Sequence, residues 1–317
     1  MRNYSGLITT LLATLAILPS FAGNALADSF SVFDVPNASS TYAEGINDTG
    51  AVTGYFQDST GTHGFINNAG LFTTFDVSAG ISTFSHGINA AGTAVGDYSD
   101  ANGFHGFERT ASGTISTVNV ELAGAHNTVA TGINAQGDLT GYYQDAANAF
   151  HGFTDAAGLF TSIDVPGATA GTFAQGINVA GEVAGYAASS AAVGFIDDLG
   201  TYSTFGPPGG TGNVFAYGIN DAGQVSGYDR IGTATQGFIS SNGTLQSINA
   251  PGITGATFVQ GINNTNQLTG YFTDSAGSHG FVDTLAAVPE PTSMLPFITA
   301  IAALVCLRRR ITASTAA

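Results

Sequence analysis

The chain has no tryptophan, no lysine and a single cysteine, and only 9% of its 317 residues are charged. Without tryptophan it lacks the commonest aromatic platform for a sugar ring. One thiol, Cys306, excludes an intrachain disulfide, so packing must hold the fold together. The scarcity of cations excludes more. All 22 acidic residues lie between Asp28 and Glu290, where only Arg109 and Arg230 are basic, and this leaves the region at −20. Such a surface repels phosphate backbones and anionic headgroups, which excludes nucleic acid as a partner. The sequence also contains no Gly-x-Ser-x-Gly elbow, no His-Glu-x-x-His and no phosphate loop.

What is present is marked at both ends. Arg2, then "LITTLLATLAILPSFAG", then "ALA" (25–27) have the order of a secretory signal peptide over residues 1–27. Ala25 and Ala27 are the small residues that signal peptidase would read. At the other end "VPEP" (288–291) leads into "MLPFITAIAALVCL" (294–307) and "RRR" (308–310). These 14 apolar residues cover roughly 21 Å at ~1.5 Å each, against a hydrocarbon core of ~30 Å. Counting from Pro291 and letting the arginines snorkel brings the run nearer to spanning. The arginines keep that end cytoplasmic, which places the body of the protein outside.

This order resembles the PEP-CTERM sorting signal of Gram-negative bacteria. The resemblance implies an exosortase that recognises the tail and processes it, so that membrane anchoring is transient. Val288, Pro289, Glu290 and Pro291 would be the sorting motif, and Arg308, Arg309 and Arg310 the stop-transfer signal. The expected domains are therefore a signal peptide (1–27), a repeat domain (28–286) and a sorting or transmembrane tail (287–317). The expected location is the cell envelope or the extracellular space.

Between the ends one phrase recurs. Gly-Ile-Asn occurs at 45–47, 87–89, 132–134, 176–178, 218–220 and 261–263, at steps of 42, 45, 44, 42 and 43 residues. A Gly-Tyr element follows at 54, 141, 185, 227 and 270, and the second unit varies it as Gly96-Asp97-Tyr98. "HGF" closes four units, with Val193 and Gln236 in place of histidine in the fourth and fifth. A fixed period of this length means a repeat architecture. Each unit holds four strand-like segments, in unit two "LFTTFDV", "TFSHGIN", "TAVGDYS" and "FHGFERT", separated by Gly, Asn, Asp or Ser. The joins "NDTG", "NAAG", "NAQG", "NVAG" and "NDAG" suit Asx-closed hairpin turns that end on a left-handed glycine, and Asn266 replaces that glycine in "NNTN".

Four antiparallel strands in about 43 residues make a propeller blade, and a β-solenoid is the main rival. An open stack needs atypical capping repeats, yet the first and sixth units are among the most regular. The expectation is an all-β, six-bladed β-propeller in which "FSVFDVP" (30–36) supplies the strand missing after the last "HGF". The order His-Gly-Phe, apolar strand, Gly-Ile-Asn, Gly-Tyr is similar to the HAF-type extracellular repeat, with His-Gly-Phe for the usual His-Ala-Phe. That resemblance implies a surface protein of repeated β-units and brings no defined activity.

Candidate chemistry is sparse. His63, His105, His151 and His279 recur once per unit, and packing beside Phe65, Phe107, Phe153 or Phe281 outweighs a metal role for them. His86 and His126 have no evident partners. Loops "DSTGTH" (58–63), "DANGFH" (100–105) and "DSAGSH" (274–279) suggest calcium, although Asp-x-x-Gly is also an ordinary type I turn. No other cofactor is indicated. Glu108, Glu121, Asp138, Glu182 and the pair Asp197-Asp198 break the repeat, as catalytic carboxylates would. Tyr42, Tyr98, Tyr142 and Tyr228 remain for sugar stacking. The expected function is a non-catalytic binding or structural module of the matrix, with polysaccharide or another surface protein as partner. A propeller glycoside hydrolase or lyase is the alternative.

Overall fold

The computed structural model describes residues 29–285, except 123, 208 and 254. The expected signal peptide with Ala25 and Ala27, the expected sorting motif Val288–Pro291 and the arginines 308–310 lie outside the described residues.

The described chain forms six four-stranded antiparallel sheets. In blade one Ser40–Ile46 is the inner strand, followed outward by Val52–Gln57, Thr62–Asn68 and Leu71–Phe75. Blades two to five repeat this order in sequence. Blade six differs: its inner three strands are Thr257–Ile262, Gln267–Thr273 and Ser278–Thr284, and its outer strand is Ser29–Phe33. The pairing runs from Ser29 opposite Thr284 to Phe33 opposite Gly280. The first described strand thus completes the last blade, as expected from "FSVFDVP". The ring is closed, and the fold is a six-bladed β-propeller.

One expectation about the frame is corrected. "LFTTF" is the outer strand of blade one, not the first strand of unit two, and it pairs with Thr62–Asn68 in register Gly64↔Phe75 to Asn68↔Leu71. The cause is local. Ala69 and Gly70 have φ of 51° and 90°, a two-residue turn of the kind whose twist returns the chain alongside the strand it has just left. The segment after Phe75 then crosses to the axis and starts the next blade.

The phenylalanine of each "HGF" or its variant sits at the centre of its blade. Phe65, Phe107, Phe153, Phe195, Phe238 and Phe281 are the largest fully buried side chains. Neighbouring sheets bury one another: Ala184, Ile196 and Phe205 of blade four pack with Val214, Ala216, Val225 and Phe238 of blade five. Blades five and six join in the same way, through Ile239 and Ile248 against Val259 and Leu268. The seam is also packed. Phe30 stacks on Phe281 at 4.8 Å, and Phe33 meets Phe65 and Phe72 of blade one at 6.2 and 6.1 Å.

The recurring asparagines do more than close their turns. Asn47 Oδ1 accepts from the backbone N–H groups of Thr49 and Ala51, and Gly50 takes φ 81°. At the exceptional sixth turn Asn266 takes φ 61°. Meanwhile Asn47 Nδ2 donates to the carbonyl of Asn89, Asn89 to Asn134, Asn134 to Asn178, Asn178 to Asn220, Asn220 to Asn263, and Asn263 back to Asn47. Six bonds of 2.9–3.4 Å make a complete circle around the axis.

Candidate binding cavity on the ring axis

Every inner strand has an irregularity in the same place. Ala43 pairs with Gly54 and Gly45 with Thr53, which leaves Glu44 as an extra residue. The register jumps likewise around His86, Thr131, Gln175, Tyr217 and Gln260. A β-bulge re-aims its side chain, and all six of these line an axial cavity of about 600 Å³. The glycine that follows each one is needed because the strands nearly touch there. A Cβ on Gly132 would lie 2.7 Å from the Gln175 carbonyl oxygen, and one on Gly261 2.9 Å from that of Glu44.

The isoleucines of Gly-Ile-Asn form the floor. Ile46, Ile88, Ile133, Ile177, Ile219 and Ile262 line this cavity on one side and a recess of about 100 Å³ on the other. At the opposite end Phe104 lines the cavity while remaining 47% exposed, so it stands where the cavity meets solvent. Its backbone N–H donates to Asn127 Oδ1, and Asn127 Nδ2 donates to Gln144 Oε1.

Around the wall runs an aromatic belt built from cross-strand pairs. Tyr42 stacks on Tyr55 at 4.7 Å, Phe173 on Tyr186 at 4.9 Å and Phe258 on Tyr271 at 4.7 Å. Edge-to-face contacts link one pair to the next, as between Tyr55 and Phe84 at 5.0 Å and between Tyr271 and Tyr42 at 5.0 Å. The belt is interrupted in one place. Asp97 replaces the second-strand tyrosine of blade two, and Val129 replaces the inner-strand aromatic of blade three.

That gap holds the charged groups. His86 Nε2 donates to Asp97 Oδ1 at 2.8 Å, and His86 Nδ1 lies 4.0 Å from Glu44 Oε2. Burial pushes the Glu44 carboxyl up to about 7, against a smaller opposing pull from His86. For His86, burial works against the charged form, but the hydrogen bond to Asp97 and the charges of Asp97 and Glu44 outweigh it and raise its pKa. Glu44 therefore exchanges its proton near neutrality. Beside Glu44, on the adjoining blade six, stands a cost with no visible return. Gln260 is only 5% exposed, and its Oε1 has no hydrogen-bond partner.

The candidate residues named from sequence mostly fall elsewhere. Asp138 Oδ2 and Glu182 Oε2 accept from Asn134 and Asn178 within their own turns, at 3.0 and 2.6 Å. Asp197 accepts from the N–H of Gly200 at 2.7 Å and so clamps a hairpin turn. Glu108, Glu121 and Asp198 do not line the cavity. Of the four tyrosines, Tyr142 lines it, Tyr42 and Tyr228 belong to the belt, and Tyr98 bonds Thr117 on the outer part of blade two.

The "HGF" histidines sit on the third strands of blades one, two, three and six, and the structure adds a partner to the expected phenylalanine: His63 packs over Phe56 at 5.2 Å and His279 over Phe272 at 5.3 Å. Directly opposed residues on paired strands approach more closely than i and i+2 on one strand, and His63 opposes Phe56 in register. Carboxylates hold both ring nitrogens: Asp76 Oδ1 is 2.7 Å from His63 Nδ1 and Asp58 Oδ1 is 3.3 Å from Nε2. Asp58 also closes its own turn, accepting from Thr60 N–H at 2.7 Å, as Asp274 does from Ala276. Among the described residues no group of three or more His, Cys, Asp or Glu has a metal-holding arrangement.

His86 acquires the partners that sequence left unnamed, and Glu44 and Gln260 were missed. A signal for them existed. Within the otherwise fixed phrase x-Gly-Ile-Asn, the first position reads Glu, His, Thr, Gln, Tyr and Gln.

No family model matches the chain, and no curated protein matches it. Among solved structures it is similar to the Aleuria aurantia lectin in complex with Fucα1-6GlcNAc, at 13% identity and TM-score 0.52, over 81% of this chain and 94% of that one. It is also similar to TolB from Acinetobacter baumannii, at 11% identity and TM-score 0.49, over 78% and 63%. Trypanosoma rangeli sialidase follows at 7% identity and TM-score 0.46, over 86% and 60%. The likeness to the lectin is one of fold.

Proposed function

We propose that this protein is an exported binding module of the cell surface or its surrounding matrix, and that its axial cavity holds carbohydrate without transforming it. One observation carries the proposal: six equivalent bulge positions on a repeated frame bear five different residue types, and all six face one cavity. A purely structural ring has no use for that variety, whereas a ligand with an uneven pattern of hydroxyls does. Amide, hydroxyl and carboxylate groups line the wall, and Phe104 at the opening offers a face for a pyranose ring. The order signal peptide, repeat domain, Pro-Glu-Pro tail supports the location.

Calorimetry of the purified full-length protein against a panel of oligosaccharides tests the proposal. Saturable binding that Phe104→Ala weakens at least fivefold is expected, and no binding across the panel overturns it. Mass spectrometry of surface-released protein tests the location. The C-terminus should be lost near Pro291, and an intact Arg310 in the mature species overturns exosortase processing. The Glu44–His86–Asp97 cluster favours a second reading, a hydrolase or lyase with Glu44 as proton donor. New reducing ends that vanish with Glu44→Gln would establish it.

A further inference from the structure

The axial cavity is one-sided in its chemistry. Among the described residues, the only charged or titratable groups other than tyrosine that line it are Glu44, His86 and Asp97, and no arginine lines it. Two acceptors on adjoining blades lack donors. Glu44 has its nearest cationic atom 4.0 Å away, at His86 Nδ1, and Gln260 Oε1 has no partner at all. The two belong side by side, because Gly261, next to Gln260, packs against the Glu44 carbonyl. An acceptor buried without a partner, as Gln260 Oε1 is, disfavours the empty cavity, so with Glu44 beside it the site favours a ligand that brings several donors to one point. Tyr55 and Tyr271 flank the same spot, and both are raised by burial first and by the Glu44 charge second. A carboxylate, an amide oxygen and aromatic rings around one point are the elements of an ammonium site.

Resting on the carbohydrate reading above, we infer that the cavity takes a sugar bearing a free amine, a glucosamine-type unit, whose ammonium group sits between Glu44 and Gln260. The ammonium supplies three donors and one positive charge, which a neutral or N-acetylated sugar does not. Its ring carbons and hydroxyls face the belt and the remaining bulge residues.

Binding of a cation requires Glu44 in its ionised form. The groups facing it are His86 and Asp97 of blade two, Tyr42 and Tyr55 of its own blade, Tyr271 of blade six, and Tyr142, Tyr217 and Tyr228 across the cavity. Burial raises the pKa of Tyr55, Tyr142, Tyr217, Tyr228 and Tyr271, which keeps them neutral. Glu44, raised to about 7 through burial, is then the acceptor whose ionisation the amine needs, and the raised His86 beside it keeps its proton into the same range. Affinity for the amine should increase severalfold between pH 5 and pH 6, where Glu44 gains ionisation and the amine keeps its proton, and level off near pH 7 as the amine loses it.

The test is calorimetry of the full-length protein with three matched probes, the β-1,4-linked trimers of glucosamine, N-acetylglucosamine and glucose, and with putrescine as an amine without a sugar. The glucosamine trimer should bind at least tenfold tighter than the other two. Glu44→Gln should abolish the difference, and Gln260→Glu, which adds a second negative acceptor, should tighten glucosamine binding severalfold. A gain of affinity cannot come from misfolding. Equal affinity for all three trimers overturns the inference and leaves the carbohydrate reading standing, whereas no binding of any trimer overturns both. Putrescine binding as tightly as the glucosamine trimer, and with the same dependence on Glu44, overturns the amino-sugar assignment.

Discussion

The circle of asparagines gives a direct handle on ring closure. Asn89 is 8% exposed; its Oδ1 accepts from the N–H groups of Ala91 and Thr93 at 3.1 Å each, and its Nδ2 donates to the Asn134 carbonyl at 3.2 Å. Asn89→Asp keeps both turn bonds and removes only the link to blade three. It puts an oxygen where a donor was, facing the carbonyl. Loss of the bond costs ~1 kcal/mol, and a poorly solvated charge against an acceptor adds ~2, for a total of about 3 kcal/mol at neutral pH. In a domain of this size each kcal/mol lowers the melting temperature by roughly 2–4 °C, so a drop of roughly 6–12 °C is expected.

The pH dependence makes the test sharper. The new carboxyl has a folded-state pKa above its unfolded value of ~3.9, because the neutral acid can donate to Asn134 O and the anion cannot. A raised carboxyl destabilises at high pH and recovers as pH falls, so the deficit relative to wild type should shrink between pH 7.5 and 4.5. Asn89→Ala should lose a comparable amount with no such recovery. Circular dichroism melts of the three proteins at both pH values decide. A variant Asn89→Asp that melts with wild type at pH 7.5, or whose deficit is the same at both pH values, refutes a structural role for the circle.

Two further outcomes follow from the seam and the histidines. The double variant Phe30→Ala/Phe33→Ala removes the aromatic contacts of the closing strand with Phe281, Phe65 and Phe72; chemical denaturation should show a loss of about 4 kcal/mol, allowing for half-buried rings, and an unchanged midpoint would mean that the ring does not depend on this strand. The pKa of His279 is raised, chiefly by its hydrogen bond to Asp34 and against the effect of burial. Its contribution to stability is thus complete below pH ~6.5 and fades as pH rises through the folded value. His279→Gln, the residue blade five carries at Gln236, should flatten the melting profile between pH 6 and 8, and a profile identical to wild type would remove the clamp from the account.

Much of the architecture was legible because the repeat wrote it six times. The Gly-Ile-Asn period fixed the blade count, the Asn-x-x-Gly turns fixed the hairpins, and "FSVFDVP" fixed the seam. The blade frame was not legible, since the two-residue turn at Ala69-Gly70 and the crossover after Phe75 both read as simple breaks between strands. The site was less visible still. Asp138, Glu182 and Asp197 looked unusual as carboxylates but serve turns, each bonded within a few residues of itself. Glu44, His86 and Gln260 sit one residue before an invariant phrase, where strand alternation would turn them away from the axis. Only the bulge, a feature of pairing between strands, turns them in. His86 and Asp97 are 11 residues apart in sequence, and nothing in strand composition announces that a missing tyrosine makes room for their contact.

The closing seam has a consequence for how the molecule is made. Ser29 must wait for Thr284 before it can pair, and at ~5–20 residues per second that delay is roughly 10–50 s. Throughout the wait Ser29–Phe33 is a loose β-segment, and once the sixth sheet exists it presents a vacant edge. A second newly made molecule nearby offers an identical segment. Nascent molecules held close together therefore compete to fill each other's gaps, and exchange-linked pairs are the characteristic error of assembly.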